Sequence, residues 1–230
     1  MHDKQVSAHS KGANPPIVQS AKPRPRLIRL LKRFPQRLVW ALFVLAMGFV
    51  SIAILAVVAM FTHTLLVFPS LGPTAILFFF HPMSASASPR HALYGHAIGI
   101  LCGYGSLVLL GLQHTAWQMG GSISPRRLFA VAISLATTAF FMVLLKVAHA
   151  PAGATTLLVS MGLITRPSHL LVIEIAVALL CVQAIWFNRL AGLKYPMWVG
   201  RVDRAMEELR MGPGSAPTLR EHKENLTFKP

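Results

Sequence analysis

The sequence predicts an all-α membrane protein: a multi-span helical bundle with two broken or re-entrant half-helices and an internal repeat. Three observations predict it. The chain of 230 residues is 54% hydrophobic and only 13% charged, whereas soluble domains carry roughly a quarter charged residues. The charges are also segregated: residues 1–37 hold nine Lys/Arg and one acid, residues 189–230 hold eight and five, and the long middle holds five and one. Finally, two apolar stretches are interrupted near their middles by proline and glycine, at Pro69-Ser70-Leu71-Gly72-Pro73 and at His149-Ala150-Pro151-Ala152-Gly153.

Segment 1–37 is basic and proline-rich, with Asn14-Pro15-Pro16 and Lys22-Pro23-Arg24-Pro25-Arg26, and is expected to be disordered. Its last cations, Arg26, Arg29, Lys32, Arg33 and Arg37, are placed at the lipid headgroups, where each gains about 1 kcal/mol near anionic lipid. A net charge of +15 could signal nucleic acid. Cations that flank apolar segments follow the positive-inside pattern instead, so no nucleic-acid partner is expected and both termini are assigned to the cytoplasm. The first apolar region starts too late and runs too long for a cleaved signal and reads as a retained anchor.

Spans are expected at about 38–62, 91–112, 128–148 and 168–190, with broken segments at 64–80 and 150–165, making a transmembrane domain of 38–190. The tail 191–230 reads as soluble, with an amphipathic helix around 202–211 and no chemistry assigned. A proline is tolerated in the first turn of a helix but not in its interior, so one helix ends near His149 and another starts between Pro151 and Gly153. The apolar run after that start is too short to cross a bilayer at about 1.5 Å per residue. A helix start at membrane depth is tolerated only where it is buried in protein or lines a cavity. Cys102 and Cys181 sit inside apolar runs without redox or metal spacing and read as buried thiols.

The two breaks match each other. With Gly72 set against Gly153, Pro73-Thr74-Ala75-Ile76-Leu77 faces Ala154-Thr155-Thr156-Leu157-Leu158, and further on Pro89-Arg90-His91 matches Pro167-Ser168-His169. Paired broken helices in two repeats are a plan of secondary transporters. If both breaks re-enter, the chain crosses four times and Arg126-Arg127 lie with the basic termini. If both cross, there are six crossings, the halves are inverted and these arginines lie opposite. The positive-inside rule favours four.

At these residues the sequence resembles the HPP family of integral membrane proteins, named for a His-Pro-Pro motif. His149-Ala150-Pro151-Ala152-Gly153-Ala154-Thr155 is similar to the name motif, with Ala150 where its first proline is expected. Pro69-Ser70-Leu71-Gly72-Pro73-Thr74-Ala75, with Pro89-Arg90 and Gly95-His96, is similar to the upstream pattern, and the resemblance covers roughly 38–190. The family is described as four-span, and plant chloroplast members are associated with nitrite transport. The resemblance thus implies a transporter or channel of the bacterial inner membrane, with nitrite or another small inorganic anion as substrate.

A helix N-terminus carries about half a positive charge and unsatisfied N–H groups, which attract small anions. The expected substrate-binding residues are therefore Gly72, Pro73, Thr74, His149, Pro151, Gly153, Ala154, Thr155 and Thr156. Gly and Thr could equally serve close helix packing, which leaves a non-transporting assembly or regulatory protein as the second reading. Lys146, Glu174 and His96 are the candidates for a charge or proton relay, since ionisable groups inside a membrane are costly. A Lys146–Glu174 ion pair is one arrangement, with Glu174 expected on the same side of the membrane as Lys146; snorkelling of Lys146 to the interface is another. No histidine spacing suggests a metal, and no cofactor is expected. No nucleophile-base set or carboxylate pair suggests an enzyme. The lipid bilayer is the expected partner, and a homo-oligomer is compatible with the pattern.

Overall fold

The protein is described here by a computed structural model covering residues 26–117 and 121–198. The disorder expected before Arg26 and the tail helix around 202–211 lie outside the described residues. Helix α1 (Arg26–Arg33) forms inside the segment expected to be disordered. Its leucines explain this, because Leu27 is buried and Leu31 packs against the core. The later elements are α2 (Gln36–Thr62), α3 (Leu71–Phe80), a 3-10 turn (Ala85–Ala87), α4 (Pro89–Leu109), α5 (Pro125–Leu144), α6 (Ala152–Ser160) and α7 (Pro167–Leu190). Among the described residues there is no strand. Helices α2, α4, α5 and α7 are long and apolar enough to cross a membrane. This is an all-helical, multi-pass membrane protein.

Local chemistry sets the helix ends. Helices α4, α5 and α7 each place a proline in the first turn, where the missing N–H costs nothing. Ser124 caps α5, its hydroxyl accepting from the Arg127 N–H at 3.3 Å. Helix α2 stops at His63, which turns into the left-handed region at φ 52°.

Contacts at the helix ends fix the path of the chain. Past α7, the Tyr195 hydroxyl donates to the Ala87 carbonyl, and burial pushes this phenol above its ordinary pKa, which keeps it protonated as a donor. The Arg90 N–H donates to the Trp198 carbonyl at 3.1 Å, so α7 finishes where α4 begins. Asn188 on α7 donates to the Phe78 carbonyl on α3 at 3.1 Å. The Phe43 ring lies 6.3 Å from Phe79, and Phe79 lies 6.5 Å from Phe187. The start of α2 and the ends of α3 and α7 thus share one end of the bundle, the terminal end. At 27 residues, α2 is about 40 Å long and reaches the other, the loop end.

At the loop end, Arg127 donates to the Met161 carbonyl at 2.9 Å and to the Thr115 carbonyl at 2.7 Å. The Trp117 N–H donates to the Gly162 carbonyl at 3.1 Å. Helix α6 runs beside α4 in the same direction, with Gly95 against His149 and Gly103 against Val159. Each half-helix, with the non-helical residues before it, therefore leads from one end of the bundle to the other. Within the bundle the chain runs six times between the two ends and the halves are inverted, the path of the six-crossing alternative; the four long helices are the ones with the length and hydropathy of full spans. The positive-inside count took Arg126 and Arg127 as loop cations, yet Arg127 is only 5% exposed and spends its guanidinium on the Met161 carbonyl at the end of α6 and on Thr115 in the loop after α4.

Packing follows the repeat. Helix α2 packs on α3 and α7 as α5 packs on α6 and α4; α3 meets α7 as α6 meets α4, and α4 and α7 touch between the halves. Exchanging the halves preserves every one of these pairings. The helical register is not preserved: the repeat alignment would set Cys181 against Phe78 as Gly103 is set against Val159, whereas Asn188 bonds Phe78. The two interfaces are slid by about two turns.

Candidate functional site

The inverted path brings the starts of α3 and α6 together inside the bundle, with α4 alongside. Thr74 in the first turn of α3, Thr155 in the first turn of α6, His96 on α4 and His149 ahead of α6 are each 0% exposed. They form one hydrogen-bonded cluster. His96 bridges the two threonines that the repeat equates: Nε2 lies 3.0 Å from the Thr74 hydroxyl and Nδ1 lies 2.7 Å from the Thr155 hydroxyl. Thr74 also lies 3.4 Å from His149 Nε2 and donates within its own turn to the Ser70 carbonyl at 3.1 Å. His149 Nδ1 donates to the Ser86 carbonyl at 2.7 Å, and the Ser86 hydroxyl donates to the Ala148 carbonyl at 2.6 Å. The two imidazole centroids are 5.1 Å apart. Among the described residues, no His, Cys, Asp or Glu completes a group of three that could hold a metal.

The other expected site residues separate into distinct environments. Pro73, Pro151 and Ala154 line an open cleft of about 540 Å³ at the terminal end, together with Ile76, Leu77, Phe80, His81, Ser86 and Ala150. Thr156 turns away from the cluster, bonding the Thr138 hydroxyl at 3.0 Å and the Ala152 carbonyl at 3.2 Å. Gly72 has nothing within 4 Å of a built Cβ, and Gly153 meets only Leu135 at 3.6 Å; neither is held small by packing. The N–H groups counted on for an anion are partly spent. Ala152, Gly153 and Ala154 donate to the carbonyls of His149, Ala150 and Pro151 at 3.0, 3.0 and 3.1 Å. The helix dipoles remain, and the polar side chains supply the donors.

Of the relay candidates, only His96 joins the cluster. Lys146 is exposed at the end of α5, in the left-handed region at φ 53°. Glu174 is half-buried on α7, its Oε2 enclosed without a hydrogen-bond partner. Helix α7 begins at the loop end, whereas Lys146 lies toward the terminal end, so the two are not on the same side as expected.

Sequence reasoning missed the glycines that do require their size. A Cβ on Gly95 would stand 2.7 Å from His149 Cβ, on Gly99 2.8 Å from Thr156 Oγ1, and on Gly103 2.9 Å from Val159 Cβ. Their spacing of four is the small-residue pattern of close helix pairs in membranes. It stood in the sequence unread. Ser86 was missed as well, and no local pattern marks it, because its partners lie more than sixty residues away.

The family model for the HPP transmembrane region matches residues 34–196. No curated protein and no solved structure matches the chain. The match takes in every helix from α2 to α7 and the whole cluster around His96; the chain belongs to the HPP transmembrane-region family.

Proposed function

We propose that this protein is a transporter or channel for a small inorganic anion such as nitrite, and that the solute passes between the starts of α3 and α6. One observation carries the reading: two half-helices, entering from opposite ends, point their N-termini at one buried cluster made of Thr74, His96, His149 and Thr155. Paired half-helices with a site between their positive ends are how transporters hold anionic groups at membrane depth. Neutral imidazoles and hydroxyls add donors without burying a charge. We place the protein in the bacterial inner membrane with both termini in the cytoplasm, the side on which basic residues that flank a span concentrate.

A second reading has an observation of its own. Every nitrogen of His96 and His149 has a partner, and a fully satisfied buried network also serves as a structural staple. Uptake of nitrite and nitrate into liposomes holding the purified protein separates the two. Transport predicts uptake above that of empty vesicles and loss of uptake in a folded Thr155→Val variant. Equal leakage with and without protein would leave the staple as the account.

A further inference from the structure

We propose that transport is coupled to a proton, which moves along a preformed chain of four side chains, Thr155, His96, Thr74 and His149, between the half-helix junction and the cleft beside Ser86. This inference rests on the transport reading and adds the coupling ion. Donor and acceptor chemistry gives the chain a direction. The Ser86 carbonyl can only accept, so His149 Nδ1 carries the proton of that 2.7 Å bond. Its Nε2 is then an acceptor for the Thr74 hydroxyl at 3.4 Å, whose one proton turns to it from the Ser70 carbonyl at 3.1 Å. With that proton so used, the Thr74 oxygen accepts from His96 Nε2–H at 3.0 Å. His96 Nδ1 is left to accept from the Thr155 hydroxyl at 2.7 Å. This assignment gives every ring nitrogen a partner: each histidine accepts on one nitrogen and donates from the other, and the Thr74 hydroxyl both accepts and donates.

The transfer balances. A proton arriving at Thr155 Oγ1 displaces the hydroxyl proton to His96 Nδ1; His96 passes its Nε2 proton to Thr74; Thr74 passes its own to His149 Nε2. His149 then releases its Nδ1 proton, as its bond to the Ser86 carbonyl opens, to water entering from the cleft that Ser86 lines. One proton has crossed, both rings are neutral in the other tautomer, and rotation of rings and hydroxyls resets the chain. Histidine suits the task because its neutral ring accepts on one nitrogen while it donates from the other. The elements around the chain also carry Arg90, His91, Tyr94, Cys102 and Tyr104 on α4, His81 beyond α3, Arg126, Arg127 and Lys146 on and after α5, and His169, Glu174, Cys181 and Arg189 on α7.

The test is a pH-sensitive dye trapped in liposomes that hold the full chain, with nitrite and then nitrate added outside. The wild-type protein should change the internal pH as the anion enters, well above empty vesicles. His96→Gln, checked for an unchanged Tm, should lower the proton flux by about tenfold or more. Thr74→Val should do the same, and Thr74→Ser, which restores the hydroxyl, should recover it; this pair keeps the test open if His96→Gln does not fold. Anion uptake without a pH change in the wild type would overturn the coupling and leave transport standing. Undiminished proton flux in a folded His96→Gln or Thr74→Val protein would overturn the chain. Absence of any uptake would overturn the transport reading itself.

Discussion

Arg127 illustrates how a residue's surroundings decide what its charge means. In the sequence it is half of a basic pair in a loop. In the structure its guanidinium donates to the Met161 and Thr115 carbonyls and to the Thr115 hydroxyl at 2.9, 2.7 and 2.8 Å, closing the C-terminal end of α6 onto the start of α5. Helix ends leave carbonyls unsatisfied, and hydrogen bonds from a charged donor are worth about 1.5–3 kcal/mol each, with more lost when a buried acceptor is orphaned. Arg127→Ala should therefore lower stability by roughly 2–4 kcal/mol, read as a fall of several degrees in Tm in detergent, while Arg126→Ala, on an exposed side chain, should leave Tm nearly unchanged. Equal midpoints for the two variants would contradict the cap. Thr74 and Thr155 were legible as candidates because each sits at a break, and His96 because an ionisable group inside a span is costly. Their mutual bonds were not, since those partners are 22 and 59 residues apart.

At the scale of the element, the breaks were legible because proline and glycine act locally, while α4, α5 and α7, expected from about 91, 128 and 168, begin one to three residues earlier at Pro89, Pro125 and Pro167, where a helix tolerates proline. What glycine does in each helix depended on neighbours that local sequence does not name. The helix pair α4–α6 is built on Gly95, Gly99 and Gly103, whose missing side chains let backbones touch; lipid tails give no hydrophobic drive to associate, so close contact carries the packing. A methyl on Gly99 would stand 2.9 Å from the Ala152 carbonyl oxygen, a backbone atom that cannot rotate away. Gly99→Ala should cost about 1–3 kcal/mol. Gly153→Ala meets one side chain at ordinary contact distance and should gain up to about 1 kcal/mol of helix propensity. Thermal unfolding of both variants checks the contrast, and a destabilised Gly153→Ala protein would return that glycine to a packing role.

At the scale of the whole molecule, the all-helical class and the four long spans followed from composition and hydropathy, which act over twenty residues at a time. The path did not, because the side on which a short segment ends is set by contacts between its ends and distant helices. Two arginines outvoted that geometry in the charge count, and one of them proves to be buried. The pairing of the halves survived in the structure while their register did not, since a repeat constrains which helices meet more tightly than where they meet. Six traverses put the starts of α3 and α6 face to face at depth; four would leave both half-helices dipping in from one side, and the cluster around His96 would have no counterpart from the other. The topology is thus the central claim. With Cys102 and Cys181 replaced by serine, His114→Cys in the loop after α4 and Met83→Cys after α3 can each be labelled in intact cells with a membrane-impermeant thiol reagent; both positions are exposed. With the termini inside, six crossings predict that His114→Cys labels from outside and Met83→Cys does not. Labelling at Met83→Cys with protection at His114→Cys would establish four crossings and contradict the account.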